Sequence, residues 1–235
     1  MAEPQVCVDK LPKLPADAKR RMAFLKGMVW SSQNRPTRVP IPLRVGFLDG
    51  SAALRRRVMA VAREWTKHAH VAFLVVEDLD LAQIRISFTF EPGVSWSLIG
   101  RDCLTAPRDE PTMNLGKLSD KTDQTTLRRL VLHEFGHALG CIHEHSQPGA
   151  RIPWNEEKVY EFYASIGWPR KRVRLNILKR YTNVRAGHSG FDARSVMLYP
   201  VDPELTDGKF RSGWNTRLSE KDKAFISRMY PRPKR

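Results

Sequence analysis

The sequence predicts an α+β fold, and three observations carry that reading. The first half runs strand, helix, then several short strands. The stretch "TTLRRLVLHEFGHALG" has the apolar spacing of a long helix, and the second half is poor in strand character but holds three helical segments. At 235 residues the chain is long enough for one domain with a sizeable core, or for two lobes sharing a cleft.

Taken in order, residues 1–35 are rich in Pro and charge. They read as an N-terminal extension, a candidate pro-segment, with one helix over Ala16–Trp30. A strand follows at Leu43–Leu48 and is stopped by Asp49-Gly50. Ser51 caps the next helix, in which Leu54, Val58, Val61, Ala62 and Trp65 recur on one face. "VAFLVVE" reads as a strand, "AQIRISFTF" alternates like another, and "EPGVSWSLIG" and "PTMNLG" supply two more short extended pieces. In the long helix Leu127, Leu130, Val131 and Phe135 lie mainly along one side, and Gly140 ends it. Asn155 caps a helix carrying Val159, Phe162, Tyr163 and Ile166, and a basic helix is expected over Arg170–Arg180. Ser219 and Asp222 resemble a capping box opening a last helix with Phe225 and Met229 as its apolar stripe.

Hydrophobic residues make up 41% and charged residues 28%, which is ordinary globular usage. No apolar run is long enough to span a bilayer, and the N-terminus lacks the apolar core of a secretory signal. The expectation is a soluble monomer that stays in the cytoplasm, leaves by another route, or was supplied without its leader. Lys and Arg number 40 against 25 Asp and Glu, giving a net charge of +15 that attracts acidic partners and substrates. The charge falls in separate short runs, such as Arg55-Arg56-Arg57 and Arg128-Arg129, and reads as a solvated surface. No nucleic-acid-binding motif accompanies it, so no specific nucleic-acid partner is expected. Three cysteines exclude a disulfide framework and fit no zinc ribbon; a bond between Cys103 and Cys141, or none, stays open.

The chemistry concentrates in "HEFGHALGCIHEH", residues 133–145, which holds four of the seven histidines. Side chains four apart on a helix share a face, so His133 and His137 aim two imidazoles at one point. A catalytic zinc takes three protein ligands and keeps one position for water. Gly140 permits the left-handed backbone that ends the helix, and His143 then swings back as the third ligand. Glu134 is rotated by about 100° from His133 and leans toward the fourth position. It is the expected general base, taking a proton from zinc-bound water and later passing it to the leaving amine. With 14 Gly and 7 His in the chain, Gly140 and His143 fall into place by accident roughly once in 550 trials. A structural zinc site usually closes all four positions, often with thiolate, which this donor set does not do. One catalytic zinc ion is therefore the expected cofactor, with a protein or peptide as substrate. The rivals are a binding module with an idle zinc site and a zinc hydrolase acting on a non-peptide amide.

"HEFGHALGCIH" resembles the HExxHxxGxxH signature of the metzincin metalloendopeptidases. "FDARSVMLYP", residues 191–200, resembles their methionine turn, with Met197 as its methionine. It is most similar to the astacin form S-x-M-x-Y. "WSLIG", "PTMNLG" and "LSEKDKAFISRMYP" are similar to microbial astacin-like peptidases, so the resemblance covers roughly residues 36–231. It implies a two-lobed zincin over residues 36–235. The upper lobe, about 36–140, has a twisted, mostly parallel sheet, a backing helix and the active-site helix. The smaller, mainly irregular and helical lower lobe, about 141–235, carries His143, the methionine turn and the last helix. The resemblance further implies that Tyr199 ligates zinc at rest and swings away to hydrogen-bond the oxyanion. Substrate would pair with an antiparallel edge strand near Ser95–Arg101. In the family the Glu after the third His pairs with a newly cut N-terminus, and Glu144 holds that position here. The chain departs from animal astacins in Leu198, where they carry His, in "SQPGAR", where they carry Arg soon after "HEH", and in lacking their disulfide set.

The remaining candidates read more plainly. His145 has the wrong spacing for a ligand and is expected behind the ligands or at the surface. His68 and His70 read as exposed at a helix end, and His188 as a loop residue. Cys7 reads as an ordinary cysteine rather than a thiolate that caps the metal for latency.

Overall fold

The computed structural model describes residues 29–30, 38–180 and 190–233. The expected helix over Ala16–Trp30 (apart from its last two residues), Cys7 and His188 lie outside them.

A five-stranded sheet forms the first half. Its strands are β1 (Ile41–Phe47), β2 (Val71–Val75), β3 (Ile84–Ser87), β4 (Ser95–Ser97) and β5 (Met113–Leu115), in the order β2-β1-β3-β5-β4. All neighbours pair in parallel except β4, which runs antiparallel to β5 with Trp96 opposite Asn114. "AQIRISFTF" alternates in sequence, yet β3 is buried on both faces, as an interior parallel strand must be. Its Arg85 is the unexpected member. The guanidinium is enclosed and donates to the carbonyls of Glu110 and Pro107, both at 2.8 Å, pinning the segment that leads into β5.

Helix α1 (Ala52–Ala62) begins where Ser51 Oγ accepts the Leu54 N–H, as the sequence indicates, and packs beside α2 (Gln124–Ala138). Asp123 caps α2 by accepting the Thr125 and Thr126 N–H groups. The stripe expected on α2 understates its burial: every residue from Arg129 to Ala138 is buried. The sheet and α1 cover one side, and the chain beyond residue 190 covers the other.

The second half carries α3 (Glu156–Ser165), capped by Asn155 as expected, and α5 (Glu220–Met229), where both halves of the Ser219–Asp222 capping box form. Between them the basic helix expected over Arg170–Arg180 is only α4 (Arg170–Val173), continued by a widened π turn, Arg174–Leu178. Lys179 N–H bonds to the Arg174 carbonyl five residues back, and the wider turn carries the Asn176 carbonyl to 2.7 Å from His145 Nε2.

Two apolar clusters result. The larger joins the sheet, α1 and α2 with Trp30, Met197, Ile226 and Tyr230. The smaller gathers Trp96, Val159, Tyr163, Trp168, Ile177 and Tyr199. Helix α5 packs back on the first cluster, where Tyr230 Oη donates to the Leu139 carbonyl at 2.7 Å. Cys103 and Cys141 are both buried and unbonded, which decides the disulfide alternative in favour of none between them. Among the described residues no helix is long and apolar enough to cross a membrane.

Candidate metal centre and active-site cleft

The last turns of α2 and the chain that follows bring three imidazoles together. Gly140 has φ +94°, a conformation that side-chain-bearing residues rarely adopt, and Cys141 N–H bonds back to the Gly136 carbonyl. The reversal brings His143 to His133 and His137. Their Nε2 atoms stand 3.1–3.2 Å from one another in a triangle, and all three side chains are buried.

The proton positions follow from the far side of two rings. His133 Nδ1 lies 2.8 Å from the Val196 carbonyl and His137 Nδ1 2.9 Å from the Cys141 carbonyl. A carbonyl only accepts, so each Nδ1 carries the proton and each Nε2 presents a lone pair. Facing lone pairs at this distance repel unless a cation lies among them. Four ligands around zinc at 2.0–2.1 Å have edges of about 3.3 Å, which the observed triangle matches within about 0.2 Å. The donor set therefore fits zinc, and it is the one such group of His, Cys, Asp and Glu among the described residues.

Glu134 is fully buried beside the triangle. The Tyr199 ring stands over it, with centroids 4.3 Å from His143 and 5.7 Å from His133. Met197 lies against the underside of α2, so close that a Cβ on Gly136 would come within 2.4 Å of its Sδ. Only glycine lets the helix approach that turn.

No protein-family model matches the chain. Over 216 residues it is 32% identical to bone morphogenetic protein 1 of Xenopus laevis, covering 86% of this chain and 28% of that protein. Over 251 residues it is 30% identical to human Tolloid-like protein 1, covering 92% of this chain and 23% of that one. The chain thus spans about a quarter of the length of these relatives. High choriolytic enzyme 1, a hatching enzyme zinc-protease from Oryzias latipes, shares the fold at TM-score 0.61 and 15% identity, covering 88% of this chain and 96% of that one. The structure of myroilysin superposes at TM-score 0.80 with 37% identity, covering 89% of this chain and 98% of that one. This chain belongs to the astacin-like metzincins. The family is one of zinc metalloendopeptidases with a single catalytic zinc, and its fold is the one described above.

Within that astacin-like frame, the methionine turn is held by contacts that sequence reasoning missed. Asp222, read only as a helix cap, also accepts from Ser195 Oγ at 2.7 Å and from Val196 N–H at 3.0 Å. Asn215 Nδ2 donates to the Ser195 carbonyl at 2.8 Å. No sequence pattern marks either contact, because both partners lie 20 or more residues away. Glu144 fastens the stretch after His143. Its N–H donates to the Met197 carbonyl, and its carboxylate accepts from Asp192 N–H and Gln147 Nε2. Burial is the main cause that pushes the Glu144 carboxyl up to about 7. His145 is buried rather than at the surface and stacks on His143 at 5.2 Å between centroids. His68 and His70 are half-buried rather than exposed. Strand β4 occupies the sheet edge where the resemblance expects an antiparallel strand. The Arg128-Arg129 pair corrects the reading of a solvated run. Arg128 bridges to Glu64, while Arg129 is buried with its guanidinium 3.6 Å from the Trp214 ring centre.

Proposed function

We propose that this chain is a zinc-dependent endopeptidase in which His133, His137 and His143 hold the ion, Glu134 is the general base and acid, and Tyr199 assists. When bound, zinc supplies Lewis acidity, polarising the scissile carbonyl and lowering the pKa of water to about 7. Glu134 takes the proton from the attacking water and carries it to the amine nitrogen as the peptide bond breaks. Its enclosure strengthens every charge interaction at that moment. The Tyr199 hydroxyl donates to the oxyanion that develops on the carbonyl oxygen. By the resemblance it is also a fourth protein ligand before substrate arrives, and its ring position over His143 and His133 supports both roles. The open edge of β4 offers backbone groups to an extended peptide, beside the helix that bears the histidines. Upper and lower lobes at about 36–140 and 141–235, with residues 1–35 as a pro-segment, complete the reading.

The observation that carries the proposal is the enclosed triangle of three imidazole Nε2 atoms with a carboxylate beside it. The test is digestion of casein and a peptide library with and without a chelator, for wild type and Glu134→Ala. Wild type is expected to cleave only when metal-loaded. Glu134→Ala is expected to keep its zinc and lose about 10³-fold or more in kcat/KM, the scale of general acid–base catalysis. Full turnover by the variant would remove Glu134 from the mechanism.

A further inference from the structure

Strand β2 closes the sheet on the edge opposite β4. Ile41 N–H donates to the His70 carbonyl and Val76 N–H to the Val45 carbonyl, so the even-numbered residues of this segment face β1. Val71, Phe73 and Val75 therefore turn their N–H and C=O groups away from the sheet, and no described strand pairs with them. Proteins blunt such an edge with Pro, Lys or a bulge. The sequence of β2, VAFLV, has no Pro and no charge, and Leu74 and Val75 are nearly half exposed.

A groove of about 450 Å³ lies against this strand's end, within the range of ligand pockets. Its apolar floor includes Phe47, Met59 and Val75. Arg55, Arg56 and Arg63 line it from one face of α1 and its C-cap, and Glu77 is the single carboxylate in the lining. The run Arg55-Arg56-Arg57 divides here. Arg57 is tied down by the Asp120 and Thr122 carbonyls, and Arg55 Nε by those of Asp49 and Gly50. Arg56 and Arg63 are exposed and form no ion pair with a described carboxylate. Like charges gathered beside an open strand edge repel a second copy of this chain and attract an anion. Nucleic acid would need aromatic faces for its bases. Phe47 is only 8% exposed and lies under the Arg55 guanidinium, so the groove offers none.

We propose that the β2 edge and this groove form an exosite for an extended acidic peptide segment, which adds to the sheet as a sixth strand. Val71, Phe73 and Val75 supply its backbone partners. Alternate side chains of the added strand enter the groove, where aliphatic groups meet Met59 and Val75 and carboxylates meet Arg56 and Arg63. The site is separated from the metal centre by the width of the sheet, so a bound segment leaves the cleft beside β4 free.

The probe is a blocked, fluorescein-labelled peptide of three Glu-Val repeats. Anisotropy follows its binding to the zinc-loaded full chain carrying Glu134→Ala, which needs no turnover and holds whether or not the chain is a protease. Replacing each Glu of the peptide by Gln is expected to weaken binding about 10-fold, the sum of a few exposed ion pairs. Raising the salt to 0.5 M is expected to do the same. Methylating the peptide's amides along one edge removes the donors that pair with β2 and is expected to abolish binding. On the protein, Arg56→Glu with Arg63→Glu loses about 10-fold or more and favours the Gln peptide. Val75→Pro removes an outward N–H without touching the ladder to β1, and also weakens binding about 10-fold. Equal binding of the Glu and Gln peptides, or of the methylated peptide, overturns the proposal. So does displacement of the probe by a hydroxamate that binds the zinc, which would place it in the cleft. An oligonucleotide of equal charge that binds as tightly as the peptide overturns the choice of partner. A peptide-free chain that dimerises, and that Val75→Pro returns to monomer, assigns the edge to a second copy and overturns the exosite.

Discussion

Asp222 offers a sharp test of how the metal centre is supported. Its carboxylate is 8% exposed and accepts from Ser195 Oγ, Val196 N–H and Ser219 N–H at 2.7–3.0 Å. Burial raises its pKa, and the three donors pull it back. Asp222→Ala strands three donors, two of them on the methionine turn. Each stranded buried group costs about 1–3 kcal/mol, and because the sites are coupled the expected total is about 3–5 kcal/mol. Asp222→Asn keeps one oxygen for the two N–H groups and turns its amide toward Ser195 Oγ, so its cost is about 1 kcal/mol. The same turn holds His133 in place through the Val196 carbonyl at 2.8 Å. Loosening a partner of this kind typically weakens metal binding by about 10–100-fold. Urea unfolding of the zinc-free proteins measures the first effect, and chelator competition measures the second. If Asp222→Ala unfolds within about 0.5 kcal/mol of wild type and binds zinc within about twofold, the turn does not depend on α5 and the reasoning is refuted.

Three further outcomes are expected. Tyr199→Phe keeps zinc but loses about 10²-fold in kcat, the usual cost of one oxyanion donor, and unchanged kcat would exclude the hydroxyl from the reaction. Burial raises the Asp102 carboxyl from 3.8 to about 7. The folded state therefore retains a proton that the unfolded state releases. That stabilisation is complete below about pH 4 and is lost as pH rises through about 7. Asp102→Asn is then neutral near pH 4 and stabilising by about 1–2 kcal/mol near pH 8, less than the full shift because water screens the group. Equal urea midpoint changes at the two pH values would contradict this. Burial pushes the Cys103 thiol up to about 12 and Cys141 higher still. Native protein should therefore protect both from iodoacetamide, and dithiothreitol should leave Tm unchanged; mass spectrometry of the alkylated peptides checks the first.

The sequence by itself determined whatever rests on contacts within a few residues. The spacing of His133, Glu134 and His137 needs only a helix, and Gly140 needs only a turn. The caps at Ser51, Asn155 and Ser219 bond groups within three residues. The strands were legible because β-branched and apolar runs are bounded by turn residues, although their burial on both faces was not. Tertiary structure alone decided what each polar residue meets. Asp222 looks like any helix cap until the fold sets the methionine turn against it, and Arg129 looks like surface charge until Trp214 covers it. The π turn that shortens the basic helix answers to His145, some thirty residues earlier. Local propensity is written in neighbouring side chains, whereas the partner of a buried charge is chosen by chain closure across tens of residues.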